Sequence, residues 1–253
     1  MSATPVVLLH GVGLDRTMWQ RIQPQFAHQL HGDRDIIALD LPGHGEQPPL
    51  SRPTTLTSLA DDVLTRMPEK RPVHLIGFSI GALIAEHIAL FHPERVQTLT
   101  LVSSVFDRSP QQAAAVAERL ERAQTDFESS VCGSLDRWFP AGTSTDPAII
   151  DEIAHVLRAN DVDSYLQAYA VFALADRELA DELSQISQPT LVITGELDSG
   201  STPEMTHRLA LTIPDADKVI VPNARHMLPV EQPAEFLTAV SAFLEFSEGD
   251  QTS

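Results

Sequence analysis

Apolar positions along the 253-residue chain fall into two alternating patterns. Short unbroken runs rich in β-branched residues predict six strands: Pro5 to His10 (PVVLLH), Asp35 to Asp40 (DIIALD), Val73 to Gly77, Val96 to Val102 (VQTLTLV), Thr190 to Gly195 (TLVITG) and Lys218 to Val221. Between them apolar residues recur at helical spacing: Trp19, Ile22, Phe26 and Leu30; Leu56, Leu59, Val63 and Met67; Met205, Leu209 and Ile213; Phe236, Val240, Phe243 and Leu244. Ile80 to Phe91 is apolar on nearly every face, which predicts a helix buried on all sides. Apolar strands alternating with helices predict an α/β fold, a mostly parallel sheet with helices on both faces. Met1 to Thr4 and Ser247 to Ser253 carry no pattern, and both ends are expected to fray.

The stretch from Asp107 to Leu183 breaks the alternation, with three groups of positions at helical spacing and no convincing strand. These are Val116, Leu120, Ala123, Phe127 and Val131; Ile149, Ile153, Val156 and Leu157; and Leu166, Tyr169 and Phe172. Helices inserted between two strands of one sheet predict a cap, so residues 1–106 and 184–253 are read as a core and 107–183 as a helical cap.

Asp and Glu outnumber Lys and Arg enough to give a formal net charge of −18. No run of basic residues is longer than Lys70-Arg71, so neither a nucleic-acid partner nor a basic membrane-surface helix is expected. The longest early apolar run, Val6 to Leu9, is far too short for a signal-peptide core or a membrane span. A single cysteine, Cys132, allows no internal disulfide and is expected to be a buried or half-buried bystander. A soluble cytoplasmic protein is the resulting expectation; a homo-oligomer stays open.

The chemistry is concentrated where strands end. Gly77-Phe78-Ser79-Ile80-Gly81 matches G-x-S-x-G and sits between a buried strand and a buried helix, the setting of a nucleophile elbow. The bland alternative is a serine that only caps the helix. A serine hydroxyl needs a base to take its proton and an acid to orient that base. Asp198 follows the TLVITG strand and His226 follows KVIV, in the chain order Ser, Asp, His. Glu196 and Asp107 are rival acids. The backbone N–H groups of Ile80 and of Val12, in the His10-Gly11-Val12-Gly13 loop, are the expected oxyanion donors, and His10 is expected to hold that loop by a hydrogen bond. His28 and His31, near Asp33 and Asp35, read as solvated surface, and no metal site is expected.

With these residues and Asp40-Leu41-Pro42-Gly43-His44-Gly45 in order across nearly the whole chain, the sequence resembles an α/β-hydrolase. The resemblance implies a Ser79, His226, Asp198 triad, no cofactor and a helical cap over the site. Only four residues precede Pro5, so a sheet trimmed to six strands is expected where the family usually begins with an antiparallel pair. The second half is similar to the 3-oxoadipate enol-lactonases and neighbouring ring-cleavage-product hydrolases, through Leu135 to Phe139, Ser164 to Tyr169, Pro189 to Asp198 and Thr202 to Met205. That similarity implies a serine esterase or lactonase acting in the breakdown of aromatic compounds.

Such substrates carry a carboxylate, yet a chain of charge −18 repels anions at long range. A local cation is then required, and Arg137, beside Trp138 and Phe139, is the candidate clamp, with Arg158 as a second. Tyr165 and Tyr169 share a helix face that either lines the pocket or seals the cap. The expected function is hydrolysis of a small ester or lactone, the partner being a small molecule with or without a carboxylate. Cleavage of a carbon–carbon bond or an enamide, a peroxide-dependent side activity, and ligand binding without catalysis are the alternatives.

Overall fold

Four largely buried inner strands between two less buried edge strands set the frame of the computed structural model, which describes residues 3–30, 34–51, 53–69 and 71–249. The strands are β1 (Val6–Leu9), β2 (Ile36–Leu39), β3 (Val73–Phe78), β4 (Val96–Val102), β5 (Thr190–Gly195) and β6 (Ala216–Val221). They pair in the order β2-β1-β3-β4-β5-β6, every pair parallel. β1, β3 and β5 are buried throughout, as strands covered on both faces must be. β2 is only half-buried because it is an edge.

The α-helices are α1 (Gln23–Gln29), α2 (Leu56–Arg66), α3 (Ile80–Phe91), α4 (Pro110–Thr125), α5 (Phe127–Trp138), α6 (Pro147–Ala159), α7 (Val162–Leu179), α8 (Pro203–Thr212), α9 (Leu228–Glu231) and α10 (Pro233–Gly249). Two apolar clusters cover the two faces of the sheet. One gathers α2, α3 and α8 residues such as Leu59, Leu83 and Leu209; the other gathers Trp19, Phe26, Phe236 and Leu244. α3 is buried from Ile80 to Ala89, in keeping with its all-round apolar pattern.

Three expectations need correction. The spacing from Trp19 to Leu30 is split between a 3-10 turn, Arg16–Trp19, and α1, because Pro24 in the first turn cannot donate the amide that a continuous helix would need. The spacing from Val116 to Val131 is split at Asp126, whose carboxylate accepts from the Ser129 amide at 2.9 Å and starts α5 afresh. The tail does not fray at Ser247. α10 runs to Gly249, and Glu248 accepts from Arg34 at 2.9 Å while its carboxylate lies 3.0 Å from His74 Nε2 on β3. Residues 250–253 lie outside the described residues, as do His31 and Asp33.

The order of the strands decides where a site can form. The chain leaves β1 for β2 on one side and returns to β3 on the other, so the loops after β1 and β3 diverge at the carboxyl end of the sheet. The helices α4 to α7 all fall between β4 and β5.

Candidate active site

Ser79 is forced into its place by two close backbone approaches. A Cβ on Gly77 would stand 2.1 Å from the Gly81 carbonyl oxygen, and one on Gly81 would stand 2.7 Å from the carbonyl oxygens of Leu9 and His10. Only glycine lets β3 turn this sharply into α3 while α3 presses on the end of β1. Between them Ser79 adopts φ 56° and ψ −116°, a left-handed conformation that costs on the order of 1–3 kcal/mol for a residue with a side chain. Its amide donates to the Val102 carbonyl at 2.9 Å, so β4 helps hold the turn.

The opposing loops are zipped together beyond the strand ends. Glu196 donates to Val221 at 2.9 Å and Leu197 to Ala224 at 2.8 Å, and a side chain at Gly195 would meet the Ala224 carbonyl at 2.3 Å. This brings Asp198 under His226, with Asp198 Oδ2 2.8 Å from His226 Nδ1. The other carboxylate oxygen accepts from the amides of Gly200 and Ser201 at 2.8 and 2.9 Å. A buried carboxylate held by three donors is a fixed acceptor that sets the imidazole's orientation. Ser103 Oγ donates to the His226 carbonyl at 3.1 Å, and the imidazole lies between the rings of Phe78 and Trp138, at centroid distances of 5.0 and 5.9 Å.

The rival acids are engaged elsewhere. Glu196 accepts from the Asn223 amide at 3.1 Å, and Asp107 pairs with Arg208 at 2.7 Å, both in exposed settings.

Ser79, Asp198 and His226 line one cavity, of about 790 Å³ with its open mouth included. Gly11 and Val12 line it too, and Ile80 is the first residue of α3. Among the described residues, the amides of Val12 and Ile80 have no intramolecular acceptor, and no hydrogen bond joins Ser79 to His226. His10 orders the Val12 loop: its Nδ1 lies 2.8 Å from the Gly11 carbonyl and its Nε2 accepts from the Leu41 amide at 2.8 Å. Full burial, and then the neighbouring His44, hold its pKa well below the usual histidine value, so it is a neutral fixture.

The helices between β4 and β5 supply the remaining wall. Trp138, Tyr165, Tyr169 and Arg137 all line the cavity, and the two tyrosine rings stack at 5.8 Å. Burial pushes the Tyr165 hydroxyl up to about 12, so it stays protonated. Arg158 is a correction. It is exposed and holds Glu128 at 2.6 Å, stapling α6 to α5 away from the cavity. Cys132 is likewise exposed, not buried.

Sequence reasoning missed Arg108 and Arg119, which also line the cavity. The available signal was weak: Arg119 lies three residues after Val116, on the same helix face, where the apolar neighbour faces inward. Among the described residues no group of three or more His, Cys, Asp or Glu is arranged to hold a metal ion, and no helix is long and apolar enough to cross a membrane.

Comparison with known proteins agrees with the fold and narrows the kinship. The chain is 32% identical over 247 residues to the (E)-2-((N-methylformamido)methylene)succinate hydrolase of Acinetobacter baylyi, covering 95% of this chain and 90% of the relative. It is 29% identical over 253 residues to the pimeloyl-[acyl-carrier protein] methyl ester esterase of Aeromonas hydrophila, covering 94% of each. The enol-lactonase structure from Burkholderia xenovorans superposes with a TM-score of 0.86 at 26% identity, over 97% of this chain and 92% of that one. Residues 6–239 match the model of the alpha/beta hydrolase family, and the chain belongs to that family.

Proposed function

We propose that the protein is a serine hydrolase of a small carboxylic ester or lactone, working through an acyl-enzyme on Ser79. The observation that carries the reading is the 2.8 Å contact between Asp198 Oδ2 and His226 Nδ1 in the cavity lined by Ser79. With Nδ1–H donated to Asp198, Nε2 of His226 is left to accept the Ser79 proton. Ser79 Oγ attacks the carbonyl carbon, and the oxygen that becomes negative is received by the amides of Val12 and Ile80. Collapse of the tetrahedral intermediate expels the alcohol or enol oxygen, which takes the proton from His226. Water, deprotonated by His226, then attacks the acyl-enzyme, and the acid leaves with Ser79 restored.

Residues 107–183 act as a cap in this reading, with Trp138, Tyr165 and Tyr169 shaping the substrate side and Arg137 facing a substrate carboxylate. The similarity to an enol-lactonase supports a lactone or ester from ring cleavage. A lone cysteine with no structural disulfide supports action in the cytoplasm.

A second reading is hydrolysis of an enamide C–N bond, favoured by the Acinetobacter relative, which is named for an N-methylformamido substrate. A hydrolysis screen over p-nitrophenyl esters, enol-lactones and N-acyl enamines, with Ser79→Ala as blank, separates the two. Turnover that survives Ser79→Ala undiminished, with no fluorophosphonate labelling of Ser79, refutes both.

A further inference from the structure

The wall of the cavity contributed by α4, α5 and the loop after β4 carries more positive charge than a neutral ester needs. Arg108 is buried and pairs with Asp176, Nη1 to Oδ1 at 2.6 Å, while the same Nη1 donates to the Phe172 carbonyl at 3.1 Å. The guanidinium also lies over the Phe172 ring, 4.6 Å from its centroid, and its Nε and Nη2 are buried with no hydrogen-bond partner. Two unsatisfied donors on a buried guanidinium that lines a cavity call for an acceptor, since orphaned charged donors cost more than neutral ones. Arg119, half-buried, and Arg137, with Nη2 donating to Ser134 Oγ at 2.9 Å, have no carboxylate within 4.0 Å among the described residues. The charge of Arg119 bears on both of the others. Three guanidiniums against the one carboxylate of Asp176 leave this wall with two uncompensated positive charges.

We propose that Arg108, Arg119 and Arg137 form a subsite for a dianionic substrate, one that carries two carboxylates besides the group that Ser79 attacks. This deepens the hydrolase reading and rests on it for the identity of the scissile group. Like charges crowded on one wall repel one another unless an anion sits among them, and a planar guanidinium holds a carboxylate through two parallel hydrogen bonds. The same wall answers the long-range problem: a chain of charge −18 repels anions, and a local charge of opposite sign gives the anion a place to bind.

Calorimetric titration of the intact protein with succinate and glutarate, and with their monomethyl esters, tests the subsite without requiring turnover. Each diacid is expected to bind at least tenfold more tightly than its half-ester, and Arg119→Gln and Arg137→Gln are each expected to reduce that ratio to about threefold or less. Arg119→Lys, which keeps the charge but not the fork, is expected to retain part of it. Circular dichroism of each variant checks that a lost ratio is not a lost fold. Half-esters binding as tightly as diacids, or ratios unchanged in both Gln variants, would overturn the dianion subsite. Fluorophosphonate labelling of Ser79 is measured in parallel. Arginine-dependent diacid binding with no labelling of Ser79 would sink the hydrolase reading and leave the subsite standing; Ser79 labelling without diacid preference would do the reverse.

Discussion

Trp138 lies nearly parallel to the imidazole of His226, with ring centroids 5.9 Å apart and planes 22° apart. When His226 holds the serine proton it is a cation, and the indole face attracts a cation more than a neutral ring. The stack therefore favours the charged state that the proposed reaction passes through. Trp138→Ala is expected to lower kcat/KM by about three- to tenfold, mostly through kcat, and Trp138→Phe to recover much of it. A Trp138→Ala loss confined to KM would mean that the ring only shapes the substrate pocket.

Ser79 is held at φ 56°, so its geometry is paid for by the rest of the fold. Ser79→Gly is expected to abolish ester turnover while raising Tm by about 2–4 °C, because about 1 kcal/mol of strain is relieved in a chain of this size. Thermal scans of the two proteins in one buffer decide it. A lower Tm for the glycine variant would show that the turn is not strained.

Titration should pull stability in two directions. Burial is the leading cause of the low pKa of His10, His44 and His74, so they stay neutral in the fold while the unfolded chain takes up protons below about pH 6.5. The unfolded state then binds more protons, and stability falls as the pH drops below that point, by about 1.4 kcal/mol per pH unit for each histidine until its folded pKa is reached. Urea unfolding at pH 6.5, 6.0 and 5.5 is expected to give a steep decline, and His74→Gln a shallower one.

Glu86 works with the opposite sign. Burial raises its pKa from 4.5 to about 8, with Ser104 Oγ donating to Oε1 at 2.8 Å. Between those values the folded state keeps the proton that the unfolded state has lost, so burying this acid costs more stability as the pH rises through the window. Glu86→Gln is expected to gain on wild type by about 1.4 kcal/mol per pH unit between pH 5 and 8. A stability gap that stays constant across those pH values would rule out a neutral Glu86.

Arg108 and Asp176 tie the loop after β4 to α7, and both are buried. Removing one partner of such a pair strands the other charge. Asp176→Ala is expected to cost about 3–5 kcal/mol, seen as a Tm lower by roughly 10 °C, whereas the double change Arg108→Met with Asp176→Leu costs much less. Single and double variants of equal stability would show the pair to be solvated.

Much of this molecule is visible one element at a time. The strands announce themselves as apolar runs, and Ser79, Asp198 and His226 can be located because each lies just past such a run. What escaped depends on how helices roll against one another. Arg158 and Arg119 look alike as charged positions on amphipathic helices, yet one reaches across to Glu128 and the other turns to the cavity. Glu248 reads as part of a polar tail, and its partners Arg34 and His74 lie more than 170 positions away. Pro24 and Asp126 were legible as helix starters, but the apolar spacing running through them masked the breaks.

β4 and β5 are hydrogen-bonded neighbours, although α4 to α7 intervene along the chain. A parallel crossover needs only a dozen or so residues, and lengthening a loop adds little to its closure cost, about 0.6 kcal/mol for each doubling. The sheet is therefore nearly indifferent to what the connection contains. Under the proposed function, selection can rewrite α4 to α7 for a new molecule without disturbing the register that positions Ser79, Asp198 and His226, which would separate an inherited reaction from an adjustable taste.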